Sequence, residues 1–360
     1  MKNKKVILQS LFLAFLVIGS IWIVKRHRND LDVNRNLQPG TKVMERGYLM
    51  NEGSVFGTIY HITYEFQRDL KKDIEQTMKE IDESLSMFNP QSTLARINAG
   101  ETDEADKMVE EILNLSFEVH KATNGCFDPT VAPLVNAWGF GFKNGTLPDS
   151  VQVDSLRELV GLDKVTLKDH KITKQDSRII MDFSAIAKGY AVDKVAETLR
   201  KKGVKNYMVE IGGEVVVKGI SPKNKAWRVG IAKPTETEGR NAKGKNQAVK
   251  AEQDNGLQEI LDLKGKAMAT SGNYRNFYVT EDGRKLAHTI DPYSGYPIQH
   301  SILSSTVFAP TCAMADAFAT AFMVMGLEEA KKVLNTQPQL EAYFIYTDEK
   351  GEYAVYNNMK

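Results

Sequence analysis

The chain is expected to fold as α+β, with helices packed on mixed β-sheets. Three observations point there. Alternating runs rich in β-branched and aromatic residues, such as 57–66 and 207–218, occur in both halves of the chain. Other segments carry apolar residues at helical spacing, for example Ile74, Met78, Ile81 and Leu85. The two kinds interleave irregularly, and no internal repeat is visible.

Composition is that of an ordinary globular protein. The chain has 360 residues, 42% of them apolar and 26% charged. A net charge of +1 argues against a nucleic-acid partner. Two cysteines, Cys126 and Cys312, exclude a disulfide-rich scaffold, and two free, partly buried thiols are the default expectation.

The amino end has a pattern of its own. Lys2, Lys4 and Lys5 precede an apolar run over 6–24, followed by Lys25, Arg26 and Arg28. At about 1.5 Å per residue such a run just spans a bilayer core. It ends without a small-x-small cleavage site, so residues 1–28 are expected to be an uncleaved signal-anchor rather than a removed signal peptide. The folded part is expected outside the inner membrane, although basic residues flank both ends of the run. Residues 29–47 are polar, contain Pro39-Gly40, and read as a linker to a domain at 48–360.

The domain then runs in order. Residues 57–66 predict a strand and 73–88 a helix, stopped by Asn89-Pro90. Met108, Ile112, Leu115 and Val119 mark a second helix, ending near Asn124-Gly125. Residues 125–141 hold two prolines, three glycines and three aromatics, so an ordered, shaped loop is expected. Residues 179–182 predict a strand, and a small-residue turn leads from it into a helix through Val195 and Leu199. Free N–H groups at such a helix start suit a phosphate, and Lys188 lies there as a point charge. Residues 207–218 read as two strands around Gly212-Gly213, and 227–231 as another. The charged stretch 235–256 lacks apolar periodicity and is expected to be a mobile insertion. Strands follow at 257–263, 268–270 and 276–280, with Asp282-Gly283 as a hairpin signal. A terminal hairpin is expected from 340–347 and 352–356.

The stretch from His288 to Thr320 carries the densest chemistry. Asp291-Pro292 opens a turn, Ser294-Gly295 supplies a positive-φ position, and Pro297 stiffens the exit. His288 stands just ahead. The alanine-rich segment 313–325 predicts a helix. On it Asp316 and Thr320 are four apart and share a face, a carboxylate and hydroxyl pair that suits Mg²⁺. Met314, Phe318, Phe322 and Met325 make that helix greasy, so Asp316 needs a partner: a metal ion, or an Arg or Lys side chain.

Several stretches together resemble the ApbE family of flavin transferases. They are GTIYHITY at 57–64, SMFNPQSTLARIN at 86–98, GCFDPTVAPLVNAWGFG at 125–141 and DFSAIAKGYAVD at 182–193. VEIGGEVVVKG at 209–219, ATSGNYRNFY at 269–278, HTIDPYSGYP at 288–297 and MADAFATAFMVMG at 314–326 continue the series. The resemblance implies a T-fold-like architecture. It also implies an enzyme that binds FAD with Mg²⁺, splits its diphosphate, joins FMN to a threonine of a partner flavoprotein and releases AMP. Typical acceptors are subunits of membrane redox complexes. FAD pyrophosphatase activity and plain FAD carriage are the alternatives to be tested against it.

Residue roles follow from the same resemblance. Asp316, Thr320 and the carbonyl of Ala185 match metal positions, and His288 matches a motif histidine expected to act as base or orienting group. Asp182 and Lys188 match nucleotide contacts, and Phe56, Phe88, Cys126, Phe127, Asp128 and Ile290 should line the FAD pocket. Phe56 stands where the family commonly has methionine, and Phe88 where a tyrosine is frequent. No cysteine precedes Cys126, so the lipid attachment of many relatives is not expected.

Overall fold

Two-residue alternation along the strands decides what packs on each face of one large sheet. The computed structural model describes residues 37–141, 147–234, 238–241, 246–248, 256–273, 277–279, 285–299 and 301–359. The sheet comprises β1 (Thr41–Val43), β2 (Tyr48–Val55), β3 (Thr58–Glu65), β4 (Tyr207–Ile211), β5 (Glu214–Lys218), β6 (Ala267–Gly272), β7 (Ile302–Ala309), β8 (Glu341–Thr347) and β9 (Tyr353–Asn357). These strands neighbour one another in chain order, and every pairing is antiparallel.

The helices are α1 (Lys71–Leu85), α2 (Thr93–Asn98), α3 (Lys107–Ala122), α4 (Ala132–Ala137), α5 (Ser150–Arg157), α6 (Ala187–Lys201), α7 (Cys312–Met325) and α8 (Leu327–Thr336). On the helical face of the sheet stand Val216, Ala267, Ala269, Val307, Ala309, Ala342 and Phe344. Four of these are alanines, and α7 answers them with Ala315, Ala317, Ala319 and Ala321, so helix and sheet approach closely. The intervening residues Val215, Val217, Met268, Phe308, Tyr343 and Ile345 point the other way. They are covered by a two-stranded ribbon, Trp227–Ala232 paired with Leu257–Leu263. The centre of the sheet is therefore buried on both sides.

Three expectations need correcting. The sheets are not mixed where it matters: the described parallel pairing, Phe277–Val279 with Glu238–Asn241, belongs to a small separate sheet. Consecutive strands of the large sheet return antiparallel even after long excursions, so helices between strands did not signal parallel pairing. The segment 179–182, expected as a strand, pairs with no strand among the described residues. Asn98 takes the place of a neighbouring strand, accepting from the Met181 N–H (3.0 Å) and donating to its carbonyl (2.8 Å), and the Asp182 N–H donates to Pro129 O (2.7 Å). Residues 37–47, read as linker, carry β1 on the sheet edge, and Asp69 accepts hydrogen bonds from the Gln38 N–H and the Thr41 hydroxyl.

The expected anchor at 1–28 lies outside the described residues. Among the described residues no helix is long and apolar enough to cross a membrane. Within 235–256, Glu238–Asn241 and Asn246–Ala248 pair as antiparallel strands, and most of the rest lies outside the described residues, as does the Asp282-Gly283 turn.

Candidate functional site

The start of α6 is pressed against the start of α7. Gly189 makes this possible: a Cβ there would stand 2.3 Å from the Cys312 carbonyl oxygen. Helix starts leave N–H groups unpaired, and each helix supplies a carboxylate for the other. Asp193 on α6 accepts from the Cys312 and Ala313 N–H groups, both at 2.9 Å. Asp316 on α7 accepts from the Gly189 N–H at 3.0 Å. Thr311 completes the α7 cap by accepting from the Met314 N–H. The free N–H groups expected at the start of α6 exist, and one of them is taken by Asp316.

Asp316 is only 2% exposed, so its charge requires compensation. The nearest described cation is Lys188, whose Nζ stands 3.7 Å from Asp316 Oδ2 and 2.7 Å from Glu214 Oε1. Glu214 opens β5 and is 3% exposed. Its second oxygen, Oε2, is buried without a hydrogen-bond partner among the described residues. Burial raises the pKa of both carboxyls, and Lys188 works against that rise. At Lys188 burial disfavours the ammonium, but Asp316 and Glu214 outweigh it and hold its pKa above the ordinary lysine value. Of the two partners that sequence allowed for Asp316, the protein itself supplies a lysine.

These groups border a cavity of about 360 Å³. It collects Asp182, Ala185, Lys188, His288, Ile290, Asp316 and Thr320, together with Cys126, Phe127 and Asp128. Thr320 lies one turn beyond Asp316, and its hydroxyl is 3.0 Å from that of Ser271 on β6. Asp182 Oδ1 accepts from the Ser184 N–H (2.8 Å) and hydroxyl (2.5 Å), which shapes the bend ahead of α6.

Not every lining residue offers its side chain. Phe127 is 2% exposed and belongs to the main core. Asp128 is held within its own loop: Oδ1 accepts from the Thr130 N–H and hydroxyl, and Oδ2 from the Leu162 N–H. The Cys126 thiol is pushed up to about 11, chiefly by burial and next by Asp291, so it is protonated at neutral pH. Cys126 and Cys312 are both free, and Cys312 is fully buried beside α6.

Phe56 and Phe88 line a neighbouring cavity of about 590 Å³, which shares Ser184 and Lys188 with the first. Phe56 and Gly57 form the two-residue turn between β2 and β3, with φ of 50° and 73°. Hairpin turns of this kind favour Asn or Gly, so a phenylalanine at positive φ is strained there. Phe88 follows α1 and is 75% exposed at this mouth.

His288 directly follows the strand Lys285–Ala287, and its ring meets that of Phe140 edge-on at 6.4 Å. The turn after it has the expected form. Gly295 has φ +78° and donates to Asp291 O, while Asp291 carboxylate oxygens accept from the Tyr293 and Ser294 N–H groups. Trp138 Nε1 donates to Gly295 O at 2.7 Å and pins this turn to the 125–141 loop. Tyr293 donates from the same turn to Asn124 O. Ile290 is buried with Leu134, Trp138 and Val153 beneath it.

Sequence reading passed over Glu214, Asp193, Ser271 and Asn98 as individual residues. A signal existed for Glu214: a carboxylate between Gly212-Gly213 and Val215-Val216-Val217 begins a strand too apolar to leave it in water. Nothing local marked Asn98, whose partner lies 83 residues away.

The lining suits a hard divalent cation. Asp316, Thr320, Ala185 and the unpartnered Glu214 oxygen are all oxygen donors or carry one. Among the described residues no group of three or more His, Cys, Asp and Glu could hold a metal alone. Mg²⁺ needs no such cage, since it uses one or two carboxylates with water and substrate phosphates.

Comparison with known proteins identifies the family. A model of the ApbE family matches residues 56–344. The chain is 35% identical over 318 residues to a FAD:protein FMN transferase of Haemophilus influenzae, spanning 83% of this chain and 86% of that protein. It is 33% identical over 300 residues to the protein of that name from Escherichia coli K12, spanning 79% and 81%. Among solved structures, flavin transferase ApbE from Vibrio cholerae aligns with a TM-score of 0.74 at 31% identity, spanning 86% of this chain and 96% of that one. The chain belongs to the ApbE family.

Proposed function

We propose that this protein is an FAD:protein FMN transferase that uses Mg²⁺ and attaches FMN through a phosphoester to a threonine of a partner flavoprotein. The observation that carries the reading is the convergence of Asp316, Thr320, Ala185, Lys188 and His288 on one cavity that opens beside the aromatic one of Phe56 and Phe88. Membership of a family whose curated relatives bear that name supports it.

Each side chain has a task in this reading. Phe56 and Phe88 offer aromatic faces to a flavin ring. Lys188, between the two cavities, meets the diphosphate as a point charge. Asp316, Thr320 and Ala185 would hold Mg²⁺, with Glu214 beside them; bound there, the ion would neutralise diphosphate charge. His288 takes the proton of the threonine hydroxyl as its oxygen bonds to the FMN phosphorus, and the bridging oxygen leaves with AMP. Positioning and charge neutralisation supply most of the rate in such a transfer.

The test uses the folded part from about residue 37 with FAD, Mg²⁺ and a flavoprotein subunit carrying an acceptor threonine. The intact mass of the acceptor should rise by one FMN, and EDTA should abolish the rise. Free FMN and AMP without an adduct, on two acceptors, would replace transfer by FAD hydrolysis. Bound FAD with neither product would leave only carriage.

The basic–apolar–basic pattern of residues 1–28 supports an inner-membrane anchor with the enzyme on the outer face. Full-length protein should then sediment with membranes, and protease added to spheroplasts should digest it; a soluble, protected protein would refute this.

A further inference from the structure

We propose that Lys188 is a resident cation that holds the metal position between Glu214 and Asp316, and that a divalent ion enters by replacing its ammonium group. The inference rests on the divalent-cation reading above and adds Glu214 to the residues facing the ion. Two buried carboxylates, at 3% and 2% exposure, flank one ammonium. Two buried carboxylates that share one neighbour repel each other unless a cation or a proton offsets their charge. Lys188 meets that need unevenly. It makes a 2.7 Å hydrogen bond to Glu214 Oε1 but stands 3.7 Å from Asp316 Oδ2, and Glu214 Oε2 remains without a partner among the described residues. A buried carboxylate oxygen with no donor is costly, and a small ion that meets several oxygens at once would satisfy it.

The lysine also has somewhere to go. Its side chain is about a third exposed and borders both cavities, so the stem can swing while the backbone stays in α6. Released from the carboxylates, the ammonium faces the space assigned to the diphosphate. Metal entry and lysine release are then one exchange, in which a +2 ion takes the place of a +1 ammonium beside the two carboxylates. The arrangement gives Asp316 and Glu214 a cation at every stage, and the divalent ion balances the charge that the lysine alone leaves over. It also makes ion binding stronger when an anionic substrate is present to receive the lysine.

The exchange is tested by Mn²⁺ titration without FAD, read by calorimetry and by electron paramagnetic resonance of the free ion. Lys188→Gln removes the competitor and should bind Mn²⁺ at least tenfold more tightly than the wild type. Glu214→Gln should bind it at least tenfold more weakly. Lys188→Met serves if the glutamine variant does not fold. On the wild-type protein, labelling of lysine amines by acetic anhydride should increase at Lys188 when Mn²⁺ is added. Unchanged or weaker binding by the Lys188 variants, or unchanged labelling, would overturn the exchange while leaving the metal reading in place. Absence of Mn²⁺ binding by every form, with and without FAD, would overturn the metal reading itself and the exchange with it.

Discussion

Asp193 and Asp316 cap each other's helices. Asp193 on α6 accepts from the first N–H groups of α7, and Asp316 on α7 accepts from the Gly189 N–H at the start of α6. The carboxylate assigned to the metal is therefore also part of the joint that holds the two helices together. Chemistry and stability meet there, and substitutions should separate them.

Asp316→Asn keeps a side-chain oxygen toward the Gly189 N–H but loses the charge. Metal-dependent transfer should fall below detection, while stability drops by about 1–3 kcal/mol, the usual cost of disturbing a buried polar group. Asp316→Ala should be less stable still. Intact metal dependence in the asparagine variant, measured as AMP release against Mg²⁺ concentration, would remove Asp316 from the ion site.

Gly189→Ala should be among the most damaging single-methyl changes in the protein. The new Cβ would meet the Cys312 carbonyl at 2.3 Å, and backbone cannot give way cheaply there. Overpacking of this kind costs about 1–3 kcal/mol or more. Urea melts should show the loss, and Mn²⁺ binding should weaken with it because Asp316 shifts. A variant as stable as wild type would mean that the two helices separate freely.

The Asp193 carboxyl is pushed up to about 6, chiefly by burial, against the pull of its hydrogen bonds from Ala313 and Cys312. In an unfolded chain the group titrates near ~3.9. The folded state thus holds the proton to higher pH. The stability linked to this proton is full below about pH 4 and is lost as pH rises through about 6. Asp193→Asn should abolish that part of the pH dependence, while losing about 1 kcal/mol of capping. Parallel denaturation curves across that pH window, wild type against variant, decide the matter; the same slope in both would exclude Asp193 as its source.

His288→Ala should lower transfer by about 10²–10⁴-fold, the usual contribution of a general base, while FAD binding changes little. The readouts are adduct formation by mass and FAD affinity by fluorescence. Transfer at the normal rate would dismiss His288 from proton transfer. Trp138→Phe, which removes the hydrogen bond to Gly295 O, should reproduce part of the loss by loosening the turn that follows His288.

Much of the fold was legible because its signals are local. The 3.6-residue spacing of Ile74, Met78, Ile81 and Leu85 and the β-branched and aromatic runs of β4, β5 and β8 are visible in neighbouring residues alone. The turn at 291–295 is written in Asp291, Pro292 and Gly295 for the same reason. Residues 179–182 misled, since an apolar extended run reads as a strand whether its partner is a strand or, as here, the Asn98 side chain.

The sequence by itself determined the family, the α+β class and the Asp316–Thr320 face, because motif identity and periodicity are properties of neighbouring residues. Only the tertiary structure decided what stands opposite Asp316. Lys188 precedes it by 128 positions and Glu214 by 102, and no spacing rule connects residues so distant. Their meeting is fixed by the alanine-lined contact of α7 with the sheet and by Gly189, which lets α6 close upon it. The charge balance of the site follows from that packing.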